Sequence, residues 1–434
     1  MIKRIVDYSL SIKDELVTLR RDFHKYPELA FCEFKTASKI ISYLKKLGFS
    51  VKIGTEAIDM NSALGVPGEA TLSKERARAQ AEGVSPELLD LIGCGATGVI
   101  ADIYGTRAGK SKNVTYRFDI DAVGIDESNS DSHIPYSCGF SSVHSGIAHC
   151  CGHDGHIAIG LGLAKLLSDN RDTFSGRVRL IFQPAEEGVH GAGAMVAAGA
   201  VENTDYFFSG HIGMSANKNN VLCASTGAFL CVAKYDAEFF GLGAHAGIAP
   251  HEGKNAILAA AQATLALHSI SRHGSGSSRI NVGVINGGTG RNVIPDYARI
   301  QFETRGEKEE INAYMSESAK RIISSAAQMY DVSYYLNLVG YAGSYSPDLD
   351  FSSQIEDLAK KSGLYNEVRG YSDLNASEDC SDFLNKVVAA GGKATYMLFG
   401  TELKSAHHTA EFDFDESVLQ QSVAFLAILA HIYS

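Results

Sequence analysis

Residues 114–120 read VTYRFDI, residues 155–167 read GHIAIGLGLAKLL, and residues 176–182 read GRVRLIF. The first and third segments are short, apolar and rich in β-branched or aromatic residues, as expected for buried strands. The middle segment is longer and carries apolar residues at helical spacing. Strands that alternate with helices favour a largely parallel sheet covered on both faces. The fold predicted from these segments is therefore α/β.

The same alternation extends to both sides. The further elements predicted for this α/β domain are a helix at 192–198, a strand at 205–209, a strand at 394–399 and a closing helix at 415–432. Residues 13–48 have helical apolar spacing and end at Gly48, a suitable C-cap. The polar, Ala-rich stretch 59–97 reads as an inserted surface excursion without chemistry of its own, in which SKERARAQAEG predicts a helix.

The order of elements changes between about 225 and 338. There the pattern is strand, helix, strand, strand, helix, strand, which is the ferredoxin-like order. This order predicts an α+β domain inserted into the first. The predicted division is 1–224 and 339–434 for the two parts of the α/β domain and 225–338 for the inserted domain.

The composition narrows the possible functions. The 434 residues are 45% hydrophobic and 21% charged, and the net charge of −11 argues against nucleic-acid binding. An apolar run of about 18 residues is missing, so a membrane span is not expected. Residues 1–21 mix acidic and basic side chains without an apolar core, which argues against a secretion signal. The eight cysteines are scattered, so we expect a reduced, cytoplasmic protein.

The richest stretch for chemistry is AHCCGHDGH, which contains Cys151 and His153. A Cys and a His two residues apart at a strand end can both point into a loop cavity and hold one or two cations. Thiolate and imidazole together favour zinc-like or transition ions. The alternative for this segment alone is a buried Cys pair with surface histidines.

A pair of carboxylates, Glu186 and Glu187, ends the segment LIFQPAEEG. Neighbouring like charges are costly unless a positive charge lies between them. In a metal centre one Glu would ligate, while the other would accept a proton from water. The alternative is a solvated acidic turn, but the C-terminal end of a parallel strand is where open α/β sheets place their sites.

Three histidines follow later in the chain. His211 stands just past an apolar strand in FFSGHIG, and His407 and His408 precede the closing helix in SAHHTAEFDFDE. A single histidine of this kind is more often structural. These histidines are candidate site residues because they add to the other polar residues at strand ends. We leave His24 and His156 out of the site because such histidines are often surface or helix-capping residues.

The motifs RFDIDAVGI, HCCGHDGH, QPAEEG, GHIG, FFGLGAHAGIAP, INGGTGRNVIPD and HHTAEFDFDE occur in this order along the chain. In order and spacing the chain resembles the M20 metallopeptidase and aminoacylase superfamily over essentially its whole length. Within that superfamily it resembles the amidohydrolase branch that acts on N-acyl amino acids and auxin conjugates. The resemblance implies a zinc-peptidase-like catalytic domain, an inserted lid and dimerisation domain, and two divalent metal ions per subunit, manganese or zinc.

The resemblance also implies roles for individual residues. The implied metal ligands are Cys151 in the bridging position, His153, Glu187, His211 and His408. The implied catalytic groups are Glu186 as general base, Asp121 as the residue that orients a ligand, and His245 on the substrate carbonyl. Asn292 and Arg305 are the candidate substrate-binding residues. Arg291 is an alternative to Arg305, which could equally pair with carboxylates of its own domain. The sequence departs from the family at Val123 and Gly124, which could reshape the pocket rim.

The expected reaction is hydrolysis of the amide bond of an N-acyl amino acid. The expected substrate is p-aminobenzoyl-glutamate, a folate breakdown product, which would give p-aminobenzoate and glutamate. One alternative is a broader amidohydrolase of N-acyl amino acids, and another is a non-catalytic regulatory subunit that keeps the fold. The resemblance implies a homodimer or a heterodimer with a paralogous subunit, in which His245 acts in the neighbour's site.

Overall fold

The structure, a computed structural model, describes residues 1–109 and 111–434. Its helices are α1 (Ile2–Ser11), α2 (Lys13–Lys25), α3 (Phe34–Lys46), α4 (Glu69–Ala81), α5 (Pro86–Ile92), α6 (Ile134–Ser137), α7 (His153–Asp169), α8 (Ala192–Ala197), α9 (Ala256–His268), α10 (Glu309–Met329), α11 (Leu349–Ser362), α12 (Cys380–Ala389) and α13 (Ser417–Tyr433). Its strands are β1 (Ser50–Ile53), β2 (Val99–Tyr104), β3 (Val114–Asp119), β4 (Arg177–Gln183), β5 (Tyr206–Ile212), β6 (Val221–Cys223), β7 (Thr226–Gly227), β8 (Cys231–Phe240), β9 (Ala244–His245), β10 (Ser278–Gly287), β11 (Val293–Ile294), β12 (Tyr297–Gly306), β13 (Ser333–Ala342), β14 (Glu367–Arg369), β15 (Ser372–Asp373) and β16 (Lys393–Phe399).

The described residues form two compact units. The first unit comprises 1–227, 345–374 and 379–434, and the second comprises 228–344 and 375–378. Each unit has its own hydrophobic core. Among the described residues, the helices are too short or too polar to cross a membrane.

The first unit is built on a sheet with the strand order β1-β2-β4-β3-β5-β16-β6-β14. Its centre is parallel, because β4, β3, β5 and β16 run in the same direction. All seven residues of β4 are buried, as expected for a strand that is covered on both faces. The antiparallel pairs involve β1, β2 and β6. The predicted α/β class with a mostly parallel sheet is confirmed.

Helix α7 lies against the parallel centre of this sheet and contacts β3, β4 and β5. Gly160 permits the close approach. A Cβ atom at this position would lie 2.7 Å from the Phe118 ring and 2.8 Å from the Phe182 ring. The N-terminus of α7 therefore has a fixed place next to the ends of the parallel strands.

The second unit contains an antiparallel sheet with the strand order β10-β12-β8-β13. Helices α9 and α10 pack against it and bury the apolar side chains of the strands. The chain order is strand, helix, two strands, helix, strand, if the two-residue strands β9 and β11 are set aside. The ferredoxin-like order expected from the sequence is therefore present.

Two predictions of local structure are wrong. The single helix expected over 13–48 is broken between α2 and α3, because Tyr26 has φ −125° and ψ 62° and precedes Pro27, which disfavours the helical conformation of the residue before it. His211 lies within β5 rather than past its end. The strands β1 and β2 were not predicted from the sequence pattern.

Candidate functional site

Five segments of the first unit meet at the C-terminal edge of its parallel strands. Asp119 ends β3, and His153 begins α7 directly after Cys151 and Gly152. The other segments are the turn after β4, which carries Glu186 and Glu187, the end of β5 with His211, and the loop between β16 and α13 with His408. Ligand sites of open α/β sheets form at this edge.

His153 is fully buried and lacks a partner on one side. Its Nδ1–H donates to the backbone carbonyl of Asp121 at 2.9 Å. Among the described residues, no hydrogen bond is made by Nε2, which faces carboxylate oxygens of Asp119 at 3.7 Å, Glu186 at 3.8 Å and Glu187 at 3.7 Å. A buried acceptor nitrogen amid three carboxylates indicates a position for a cation.

The carboxylates around His153 also favour the protonated form of its imidazole. Burial opposes protonation of the imidazole, but Asp119, Asp121 and Glu187 outweigh burial and raise the pKa to about 10. A proton therefore takes the place that a cation would hold.

Cys151 and His211 form a second contact, with Sγ 3.4 Å from Nε2. The Nδ1–H of His211 donates to the carbonyl of Ile212 at 2.8 Å, so Nε2 presents its lone pair towards the thiol. Burial, together with His156 and His407, lowers the pKa of His211 well below its usual range, which keeps the imidazole in the neutral form that binds metals. Burial and the nearby Glu187 and Glu186 raise the pKa of the Cys151 thiol. A bound cation would stabilise its thiolate.

His408 supplies the third contact. Its Nε2 lies 3.1 Å from Oε2 of Glu187, and its backbone N–H donates to the carbonyl of Cys150 at 2.8 Å. Burial opposes ionisation of Glu187, but His408 and His153 outweigh burial and lower the pKa of this carboxyl. His408 has a positive φ of 61°, a conformation that the tight loop imposes.

These contacts merge into overlapping groups of potential ligands. Among the described residues, five groups of three have ligand atoms that all lie within 4.8 Å of one another, and three of these groups are Cys151–His153–His211, Cys151–Glu187–His408 and His153–Glu186–Glu187. Cys151, His153 and Glu187 each belong to two of these three groups, so the groups overlap. Sulfur, nitrogen and oxygen donors of this kind suit divalent transition ions. The residues therefore fit a pair of metal ions.

Asp121 lies behind the cluster and contacts two of its members. Its Oδ2 accepts the backbone N–H of Glu187 at 3.0 Å, and its Oδ1 lies 3.4 Å from Nδ1 of His153. Asp121 is fully buried. This position suits the orienting role that the resemblance implies.

The sequence interpretation of His24 and His156 as surface or capping residues is wrong, because both are buried. His156 accepts the N–H of Ile212 at Nε2 and contacts Asp119 through Nδ1. Arg117, also buried, donates to the other oxygen of Asp119 at 2.8 Å. Both ring nitrogens of His156 therefore have hydrogen-bond partners, and the residue connects Asp119 to β5. Its flanking apolar residues in GHIAIGLG were a sign of burial.

The predicted residues of the inserted domain lie in the second unit. His245 on β9 pairs with Val293 on β11, and Ala246 N–H donates to the carbonyl of Asn292 at 3.0 Å. This short ribbon thus brings His245 and Asn292 together at an exposed edge. Arg305 donates to Glu303 at 2.8 Å, which favours the structural alternative for this arginine. Its role in binding substrate stays a prediction, as does that of Arg291.

Residues 115–431 match the description "Peptidase family M20/M25/M40". The chain belongs to this family. It is 43% identical to the indole-3-acetyl-aspartic acid hydrolase of Enterobacter agglomerans, over 98% of this chain and 97% of the relative. It is 42% identical to one of the subunits of p-aminobenzoyl-glutamate hydrolase from Escherichia coli (strain K12), over 96% of this chain and 95% of the relative.

Two solved structures of this family share the fold. The aminobenzoyl-glutamate utilization protein from Klebsiella pneumoniae superposes with a TM-score of 0.83 at 36% identity and covers 98% of this chain and 97% of its own. The Bacillus subtilis YXEP protein, described as a dinuclear metal binding peptidase, superposes with a TM-score of 0.65 at 25% identity and covers 97% of this chain and 98% of its own. The predictions of the family, of its fold and of a hydrolase are confirmed.

Proposed function

We propose that this M20 family member is a metal-dependent amidohydrolase that cleaves the amide bond of an N-acyl amino acid, with p-aminobenzoyl-glutamate as substrate. The observation that carries this proposal is the convergence of Cys151, His153, Glu187, His211 and His408 in overlapping groups of potential ligand atoms. The similarity to hydrolases of p-aminobenzoyl-glutamate and of indole-3-acetyl-aspartic acid supports the substrate class.

The five residues would hold two divalent ions. The thiolate favours zinc, whereas the family resemblance allows manganese equally. When bound, the ions would polarise the amide carbonyl and lower the pKa of a water towards about 7.

The proton transfers fall to Glu186, which is 8% exposed and lies beside His153. Glu186 would accept the proton of the attacking water as the water oxygen forms a bond to the amide carbon. It would then deliver that proton to the nitrogen as the carbon–nitrogen bond breaks, because an amide anion is a poor leaving group. His245 would stabilise the charge that develops on the carbonyl oxygen, and Asn292 would help to bind the substrate.

Indole-3-acetyl-aspartic acid is a second candidate substrate, favoured by the 43% identity to its hydrolase. Both candidates join an aromatic acyl group to an acidic amino acid. The relative from Escherichia coli is named as one of several subunits, so we also propose a dimer, either of this chain alone or with a paralogous subunit.

The test is an activity screen with the full chain, stripped by a chelator and reloaded with zinc or manganese, with and without a paralogous partner. Release of p-aminobenzoate by the reloaded chain, and none by the stripped chain, is the expected result. N-acetyl-leucine and indole-3-acetyl-aspartic acid serve as comparison substrates. If N-acetyl-leucine is cleaved faster than both acidic conjugates, the broader alternative holds. If none is cleaved under any condition, the chain is a non-catalytic subunit.

A further inference from the structure

Helix α2 carries a buried arginine, Arg20, to which the proposed reaction gives no role. Its side chain is 1% exposed. Its Nε donates to Asp154 at 2.7 Å, its Nη2 to Asp413 at 2.7 Å and its Nη1 to Glu416 at 3.1 Å. One guanidinium thus joins three carboxylates from distant parts of the chain.

Two of these carboxylates belong to the segments that carry the proposed metal ligands. Asp154 directly follows His153 and is the second residue of α7. Asp413 lies in the loop between β16 and α13, which also carries His408. Arg20 therefore connects the segment of Cys151 and His153 to the loop of His408.

The two ends of the loop that carries His408 are joined to each other. A contact that fixes Asp413 at the base therefore also restricts the position of the tip. Leu403 pairs with Phe414 in an isolated bridge, and the N–H of Lys404 donates to the carbonyl of Asp413 at 2.9 Å. At the tip, the N–H of His408 donates to the carbonyl of Cys150 at 2.8 Å. The hydrogen bond of His408 thus joins the tip of the loop to the Cys151–His153 segment, and Arg20 joins its base to the same segment through Asp154 and Asp413.

The surroundings of Arg20 favour a guanidinium group over the ammonium group of a lysine. Its Cζ lies 4.3 Å from the ring centre of Phe414 and 5.2 Å from that of Phe140. His24 shares Asp154 with it, at 2.8 Å. A planar fork that stacks on aromatic rings can hold Asp154 and Asp413 in fixed directions, whereas the single ammonium of lysine cannot.

We infer that Arg20 is a positioning residue that sets the separation of His408 from Cys151 and His153. This inference rests on the proposed metal centre. Residues that hold metal ligands in place typically contribute about 10–100-fold to metal affinity, and we expect an effect of this size.

The experiment compares Arg20→Lys with Arg21→Lys in the full chain. Arg21 is the matched control, because it follows on the same helix and donates to Glu416 at 2.7 Å, but it is partly exposed. Each metal-free protein is titrated with Co²⁺, and the absorption bands of the bound ion are recorded. Arg20→Lys should bind Co²⁺ about 10–100-fold more weakly, with altered bands, while Arg21→Lys should match the wild type.

Thermal unfolding of each variant separates positioning from stability. If Arg20→Lys has a lower Tm but the cobalt affinity and bands of the wild type, Arg20 is merely structural and the inference is overturned. If Arg20→Lys does not fold, Asp413→Asn tests the same link from the loop side, and an unchanged affinity there overturns it. A wild-type chain that binds no Co²⁺ overturns the metal centre as well, and thereby the proposed function.

Discussion

At the scale of single residues, Glu186 and Glu187 are adjacent but differ in their surroundings. Glu187 lies 3.1 Å from His408, and the neighbouring histidines favour its ionised form. Glu186 faces His153 at 3.8 Å. An ionised carboxylate among imidazoles suits a ligand, which leaves Glu186 to move the proton.

Glu186→Gln should therefore keep the metal and lose turnover. The amide has the shape of the carboxylate but cannot accept a proton, so kcat should fall by about 10²–10⁴. Metal content per chain and kcat are measured together, with Glu187→Gln as the matched variant. The assignment of the two residues is reversed if Glu187→Gln retains metal but abolishes turnover.

His407 and His408 also have different surroundings. Burial lowers the pKa of His407 to about 4, and its ring lies against Phe412 with centroids 4.8 Å apart. His408 instead faces Glu187. We expect His408→Ala to lose metal, whereas His407→Ala should lower stability and retain metal. The number of metal ions per chain is measured for both variants. Loss of metal in His407→Ala alone would show that His407, and not His408, is the ligand.

His24 predicts a pH dependence of stability. Burial opposes its protonation, but Asp154 and Glu127 outweigh burial and raise its pKa from 6.5 to about 9, with Arg20 and His149 as the other charged or titratable neighbours. Below pH 6.5 both the folded and the unfolded chain bind this proton. As the pH rises from there through the folded pKa, the stabilisation is lost.

The unfolding free energy should accordingly fall by on the order of 3 kcal/mol over this range, at 1.36 kcal/mol per pKa unit. In His24→Gln the part of this decrease in unfolding free energy that is due to His24 should be absent. Denaturant unfolding at a series of pH values measures it, with the exposed His251→Gln as control. Equal slopes for wild type and His24→Gln would show that His24 does not hold the extra proton.

The sequence made the proximity of these potential ligands predictable in part, because Cys151 and His153, and likewise Glu186 and Glu187, are close in the chain. It could not reveal Arg20 or His24 as buried charges. Arg20 contacts Asp154 and Asp413, and their separations of 134 and 393 residues lie beyond any periodic pattern. Nor could it reveal that His156 is fully occupied, since one of its partners is a backbone N–H of β5.

At the scale of elements, long periodic segments such as α7 and β4 were predictable to within a few residues. The break after Tyr26 was missed because the apolar spacing continues on both sides of Pro27, although proline itself marked the place. The edge strand β1 depends on pairing with β2, and β2 depends on pairing with β1 and β4. Such pairing is a tertiary contact that local patterns do not carry.

The close contact between α7 and the sheet predicts how a methyl group added at Gly160 would change the stability of the protein. In an open helix Gly→Ala is stabilising, but at Gly160 the added Cβ would meet the rings of Phe118 and Phe182. Gly160→Ala should therefore destabilise the protein by about 1–3 kcal/mol. Gly193→Ala in α8 is the control, because its nearest neighbour is a carboxylate oxygen of Asp382 at 3.2 Å. Denaturant unfolding compares the two, and equal stabilities would show that α7 can shift.

At the scale of the whole molecule, the second unit presents an unpaired sheet edge. Strand β10 is at the end of its sheet and exposes Val284 and Ile285, and the neighbouring helix α9 exposes Leu258 and Leu265. Exposed apolar edges of this kind favour pairing with another chain. They support the predicted dimer through this unit.

Mixing two inactive variants tests whether His245 acts across such a dimer. Under conditions that exchange subunits, His245→Ala and Glu186→Gln should restore about half of the wild-type activity per mixed dimer, because one of its two sites combines both native groups. Exchange is verified with differently tagged chains. If exchange occurs and activity does not return, His245 serves its own chain or has no part in the reaction.

The placement of β16 has a consequence for biosynthesis. This strand, Lys393–Phe399, lies between β5 and β6 near the middle of the first sheet, yet it follows the whole inserted unit in the chain. While the ribosome is still translating, β5 has an open apolar edge, whereas all four strands of the second unit's sheet have already emerged. The inserted unit can thus fold first, and the sheet that carries the proposed active site closes only after β16 has been synthesised. A nascent chain in this state needs shielding from its neighbours.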